Sequence, residues 1–278
     1  MSKNFLITGA ARGIGRGLTR QLLSQGHRVF LLDINALELE HMTRTVLPRL
    51  SLPAQACYQT HLADLQDPSA ITAAAAAAST FFHGRLDVLI NNAFAGPVAT
   101  TPFATLSLAE WSQTLTTNLT GTMLLTQACL PLLRRPRAQN STSTSVVTSS
   151  DRSLVINISS TRARQSEPNS EAYATTKAGL LGLTHALAAT LAPDGISVNA
   201  ILPGWIHVAH ECKRADEQDV NWEDGLSEAD HAWHWTGRVG RVEDVGAAVA
   251  YLVGAVGFVT GQEVVVDGGV GRRMVYPE

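Results

Sequence analysis

Apolar positions in this chain cluster into short runs, separated by longer stretches in which they recur every three or four residues. The runs are Asn4 to Thr8 (NFLIT), His27 to Leu32 (HRVFLL), Ala56 to His61, Leu86 to Asn91 (LDVLIN), Leu154 to Ser159 (LVINIS), Ile196 to Leu202 (ISVNAIL) and Glu263 to Val266. Each is short enough for a buried strand. The stretches between them predict helices from about Gly13 to Gln25, Ala36 to Leu47, Pro68 through the Ala73–Ala78 run, Leu108 to Arg134, Tyr173 to Leu191 and Val242 to Val253. Asp67-Pro68 suits a helix start, because proline is tolerated in the first turn. Strands that are apolar throughout and alternate with helices predict a parallel sheet covered on both faces. The expected class is α/β, doubly wound. Pro136 to Ser153 is rich in Ser and Thr and breaks the rhythm, so residues 136–153 are expected to be a flexible surface insertion.

With 278 residues the chain has the length of one large α/β domain, and no composition shift divides it; residues 1–278 are read as a single domain. Hydrophobic residues make up 45%, enough for one core. A net charge of −3 without a basic stripe argues against nucleic acid or an anionic membrane as partner. No apolar run reaches the roughly 18 residues of a membrane span. Cys57, Cys129 and Cys212 are odd in number and far apart, which suggests no disulfide framework. The first strand leaves no room for a leader ahead of it, and a cytoplasmic protein is expected.

The chemistry begins at Thr8-Gly9-Ala10-Ala11-Arg12-Gly13-Ile14-Gly15, a glycine turn between the first strand and the first helix. Glycines let the backbone approach a phosphate, and the helix N-terminus offers unpaired N–H groups and a positive dipole end. The spacing Gly-x-x-x-Gly-x-Gly differs from the Gly-x-Gly-x-x-Gly fingerprint, so a tight packing turn is the competing reading. Asp33, eighteen residues after Gly15, closes the second strand. A carboxylate there can accept from both ribose hydroxyls and repels a 2′-phosphate, which favours NAD(H) over NADP(H). Arg12 acts in the other direction. Farther on, Tyr173 and Lys177 stand four apart, on one face of a helix. A phenol of ordinary pKa near 10 is a poor base at neutrality, and a neighbouring ammonium is expected to lower that value.

With these motifs the sequence resembles a single-domain short-chain dehydrogenase/reductase over nearly its whole length. The resemblance implies a Rossmann fold with a seven-stranded parallel sheet in the order 3-2-1-4-5-6-7. It also implies a cofactor site made of Gly9, Arg12, Gly13, Ile14, Gly15 and Asp33, with Asp64-Leu65 at the adenine and Asn91 and Ala93 after the fourth strand. In the Asn91-Asn92-Ala93 element, Phe94 replaces the family's glycine. Pro203-Gly204 matches the nicotinamide side, where Val208 replaces a threonine and the Ile206 backbone is expected to supply the missing contact. Ser160, thirteen residues before Tyr173, matches the catalytic serine. Asn118 matches an asparagine that maintains a water chain to the lysine. Asn118, Ser160, Tyr173 and Lys177 are thus the implied catalytic set, with Tyr173 and Lys177 also holding cofactor.

The expected reaction is hydride transfer between NAD(H) and a secondary alcohol or ketone, with Tyr173 as general acid and base. The rivals are an NADPH-dependent carbonyl reductase of a biosynthetic pathway and a non-catalytic dinucleotide-sensing protein. Residues 204–237 are expected to cover the substrate. They carry Trp205, His207, His210, Trp222, His231, Trp233, His234 and Trp235. Arg162, Arg164 and Glu167 are candidates for the pocket rim. Two His pairs have i, i+3 spacing, but no metal is expected. Apolar helices over Leu115–Leu133 and Leu180–Leu191 point to a homodimer or homotetramer, as the resemblance also implies.

Overall fold

The computed structural model describes residues 2–95, 101–134, 152–255 and 257–274. The insertion expected over 136–153 lies outside them except for Arg152 and Ser153, and Ser153 opens a strand.

The apolar runs form β1 (Asn4–Thr8), β2 (Arg28–Asp33), β3 (Cys57–Leu62), β4 (Val88–Asn91), β5 (Ser153–Ile158), β6 (Ile196–Pro203) and β7 (Glu263–Val266). All pair in parallel, in the order β3-β2-β1-β4-β5-β6-β7. The helices are α1 (Gly13–Ser24), α2 (Ala36–His41), α3 (Pro68–Phe82), α4 (Leu108–Leu115), α5 (Thr122–Leu133), α6 (Glu171–Leu191), α7 (Lys213–Glu217), α8 (Glu228–Ala232) and α9 (Val242–Gly254).

β1 shows why the central strands lack polar alternation. Side chains alternate across a strand, so Phe5 and Ile7 enter a core with Leu18 and Leu22 of α1 and Val245 and Val249 of α9. Leu6 enters the opposite core with Ile71 of α3, Leu125 of α5 and Leu191 of α6. Each such side chain contributes roughly 1.5–3 kcal/mol on burial. The edge strands β3 and β7 are only partly covered.

Two helices depart from expectation. The stretch expected to 47 is α-helical only to His41, then widens over Met42–Val46 and tightens over Leu47–Arg49, where Pro48 has no N–H to give an α-helical ladder. The long helix expected over 108–134 is α4 and α5 joined by a wide turn, Thr116–Gly121. At Gly121 a Cβ would stand 2.5 Å from the Leu65 carbonyl oxygen, so this turn is pressed against the segment after β3. The helix start expected at Asp67-Pro68 holds. The Asp67 side chain accepts from Ser69 N–H ahead of α3, and Ser107 and Glu110 cap α4 reciprocally.

Candidate active site

In an open parallel sheet, ligands bind outside the C-terminal strand ends, where the winding reverses. Here β1 and β4 flank that point. A cavity of about 1460 Å³ opens there.

The glycine turn leaves β1 at its floor. Gly9 takes φ +62°, a left-handed conformation that a side chain would strain. Gly15 serves close approach: a Cβ on it would lie 2.0 Å from the Gly9 carbonyl oxygen. Gly9, Arg12, Gly13 and Ile14 line the cavity, whereas Gly15 packs behind them. The Gly13 N–H donates to the Glu211 carbonyl at 2.9 Å, so the protein itself holds one of the turn's donors. Thr8 was not anticipated. Its hydroxyl accepts from the N–H groups of Asn92 and Ala93, each at 2.9 Å.

At the far end, Asp33 Oδ2 accepts from Ala11 N–H and Oδ1 from Asn35 N–H, both at 2.9 Å. Its carboxylate thus joins the end of β2 to the glycine turn, with lone pairs left over for hydroxyl donors. Arg12 pairs with Glu38 at 3.6 Å, and Glu38 also accepts from Lys213 N–H. Asp64 and Leu65 line the same end.

Asn91 does not line the cavity. Its amide donates to Thr126 Oγ1 and Asn157 Oδ1, inside the sheet. Asn92, absent from the expected set, lines the cavity and donates to the carbonyls of Thr8 and Gly9, bracing the turn. The doubled Asn-Asn is the signal that was available, and strand register decides between the two. Ala93 lines the cavity as expected.

At the opposite end, β5 delivers Ser159 and Ser160. Ser159 Oγ donates to the Lys177 carbonyl, while Ser160 Oγ accepts from Arg162 N–H and hydrogen-bonds Tyr173. Tyr173 and Lys177 share one face of α6, with the Lys177 nitrogen 5.5 Å from the Tyr173 ring centre. Lys177 donates to the Ile158 carbonyl at 2.7 Å, and burial lowers its pKa to about 8. Burial raises the Tyr173 phenol above its ordinary value, outweighing the Ser160 hydrogen bond and the Arg162 charge that pull it down. The expected lowering by Lys177 is therefore not the net effect here: desolvation is the larger force on a phenol so enclosed.

Asn118 lies in the wide turn between α4 and α5, fully buried. Its carboxamide accepts from Ala95 N–H and donates to the Ala95 carbonyl, with Thr176 Oγ1 at 3.4 Å. Its side chain thus fastens the segment after β4 rather than contacting Lys177.

Pro203, Gly204 and Ile206 line the cavity at the end of β6, with Val208 beside Gly13. Of the eight Trp and His residues expected over the substrate, only Trp205 and Trp233 line it. Trp222 instead stacks under the Arg241 guanidinium, and His234 is buried with Nδ1 near the Asp230 carbonyl. Arg162 and Glu167 line the rim as expected. Arg164 pairs with Glu263 of β7 instead. Among the described residues, no group of three or more His, Cys, Asp or Glu converges on a metal position.

No spacing foretold how residues 206–217 are held. Arg16 of α1 bonds Asp216 at 2.7 Å and lies 3.1 Å from Glu211, which Arg20 also contacts. His41 bonds Asp216 at 2.6 Å. Burial pushes the Glu211 carboxyl up against the pull of both arginines. Burial also opposes ionisation of Asp216, but hydrogen bonds from Arg16 and His41 prevail and keep its pKa low.

The glycine turn, the Asp33 acceptors and a cavity of about 1460 Å³ fit a dinucleotide. A family model described as enoyl-(acyl carrier protein) reductase matches residues 9–271. The chain belongs to the short-chain dehydrogenase/reductase family. It is an oxidoreductase of that family with the family's Rossmann fold. An uncharacterized oxidoreductase of Thermotoga maritima is 30% identical, over 98% of this chain and 97% of that one. Among solved structures, an apo SCOR enzyme from Clostridium thermocellum superposes with a TM-score of 0.77 at 30% identity, covering 99% of this chain and 96% of its own. The 3-ketoacyl-(acyl-carrier-protein) reductase from Brucella melitensis, solved with NADH, gives 0.75 at 25% identity, covering 97% and 98%.

Proposed function

We propose that this protein transfers hydride between NAD(H) and a secondary alcohol or its ketone, with Tyr173 as general acid and base. The observation that carries this reading is the contact of Tyr173 with Ser160 and Lys177 in the cavity that also contains the glycine turn. When bound, the nicotinamide supplies the hydride or accepts it. In oxidation Tyr173 takes the hydroxyl proton, and in reduction it returns one. Ser160 orients the substrate oxygen and stabilises charge on it. Lys177 holds the cofactor ribose and favours the phenolate. Asn118 positions this machinery by fixing the segment at Ala95. Two carboxylates, Asp33 and Glu38, flank the adenosine end, and Arg12 is already paired with one of them, which supports NAD(H) over NADP(H).

The same proposal takes residues 1–278 as one domain, with 204–237 covering the substrate, working in the cytoplasm. Among the described residues, no helix is long and apolar enough to cross a membrane. A homodimer or homotetramer is supported by the apolar groove between α3 and α5, where Ile71, Leu124, Ala128 and Pro131 face the surface cavity.

The test is turnover across a panel of ketones and secondary alcohols with NADH, NADPH and their oxidised forms. NAD(H) is expected to be preferred, and Tyr173→Phe is expected to lose about 100-fold or more in kcat while binding NADH normally. Equal turnover by wild type and Tyr173→Phe refutes the mechanism. Dinucleotide binding without turnover of any panel member supports the sensor instead.

A further inference from the structure

We propose that Arg162 is a positioning residue that sets the acidity of Tyr173, and that Glu167 sets how strongly it acts. This rests on the assignment of Tyr173 as the acid and base.

The turn after β5, Thr161–Ala163, carries Arg162 directly beyond Ser160. Its backbone and its side chain both reach the reacting pair. The N–H donates to Ser160 Oγ at 3.1 Å, and the guanidinium carbon lies 5.7 Å from the Tyr173 ring centre. Lys177 lies 5.5 Å from the same ring centre. The phenol thus has two cations near it, one from α6 and one from the 161–163 turn.

The two cations differ in their surroundings. Lys177 is fully enclosed and bonded to the Ile158 carbonyl, and burial brings its pKa down to about 8, so its charge fades as the medium becomes mildly alkaline. A guanidinium keeps its charge throughout that range. The Arg162 charge acts on the Tyr173 phenol against the effect of burial. The segment after β4 presents Phe94 to Tyr173, ring to ring at 6.0 Å, with no charge. The anion behind Arg162 is Glu167, on the loop before α6, which forms an ion pair with the guanidinium and lines the same cavity. Glu167 therefore offsets part of the field that Arg162 applies. It is about half exposed, and its carboxylate pairs with the guanidinium.

The test is an alkaline titration of the NAD⁺-loaded enzyme, following phenolate by ultraviolet absorbance. Subtracting the same protein carrying Tyr173→Phe isolates Tyr173 from the other tyrosines. Arg162→Gln is expected to raise the Tyr173 midpoint by about one pH unit, while Arg162→Lys stays near wild type. Glu167→Gln is expected to lower it, and this exposed site keeps the test decisive if Arg162→Gln does not fold. The alkaline limb of the kcat profile, on any panel alcohol that wild type oxidises, is expected to move with each midpoint. An unmoved midpoint in Arg162→Gln, an equal rise in Arg162→Gln and Arg162→Lys, or no downward shift in Glu167→Gln overturns the proposal. Turnover that survives Tyr173→Phe refutes the underlying mechanism instead. Tyr173-dependent turnover with unmoved midpoints refutes this inference alone.

Discussion

The Lys177 ammonium donates to the Ile158 carbonyl at 2.7 Å, two residues before Ser160 on the neighbouring chain segment. One side chain thereby links α6 to the end of β5, which gives it a structural effect separable from its chemistry.

Its folded pKa, about 8, lies below the ordinary lysine value of 10.5. Between those values the unfolded chain holds a proton that the folded chain has released, so stability from this group rises with pH across that window. Well below pH 8 both states are protonated and burial costs about 3 kcal/mol. Lys177→Met is therefore expected to melt a few degrees higher than wild type at pH 7 without dinucleotide, even after losing the bond to Ile158. The gap should narrow toward pH 10. Turnover by this variant falls at least about 100-fold. A lower melting temperature at pH 7 contradicts the account.

Asp33 joins two backbone donors, from Ala11 and Asn35, so under the proposed function cofactor choice and local order depend on one carboxylate. Asp33→Asn keeps one acceptor oxygen and turns an NH₂ toward the second N–H. Its stability should fall by about 1–3 kcal/mol. Its preference for NADH over NADPH should shrink, because the charge that repels a 2′-phosphate is gone. Denaturant melts and the ratio of the two Kd values check both effects, and an unchanged ratio counts against Asp33 as the selector.

Glu211 separates two guanidiniums, of which Arg16 is almost wholly enclosed. Removing the carboxylate with Glu211→Ala leaves a buried charge underpaired and should cost about 3 kcal/mol. Pairing it with Arg16→Met should recover much of that loss. A double-mutant cycle measures the coupling, and simple additivity of the two changes would argue against a joined cluster.

The sheet was legible because its central strands are buried on both faces, and apolar runs such as Phe5–Ile7 leave no other reading. Strand order came from the family resemblance and agrees with the pairing of β1 with both β2 and β4. Helix interiors misled the reading at Met42 and Thr116, where the turn widens and, at Gly121, presses on the segment after β3. Tyr173 and Lys177 were legible because a four-residue spacing is local. Whether Asn91 or Asn92 turns its side chain to the cavity was not legible, because successive side chains of a strand point to opposite faces. The Arg16, Glu211 and Asp216 cluster was invisible, since Arg16 lies about two hundred positions from the two carboxylates in the chain. Val208 shows the limit on the other side: a departure from the family pattern was plain, but only coordinates place it against Gly13.

The Glu211 carbonyl holds the Gly13 hydrogen while its carboxylate holds two arginines of the following helix. Whatever claims that hydrogen must first dislodge the protein's own oxygen, and the backbone it dislodges leads directly to Ile206 and Trp205 at the mouth of the reactive chamber. If a dinucleotide binds as proposed, its phosphates compete for that hydrogen with a carbonyl whose residue is tied by two ion pairs to the helix that begins at the same turn.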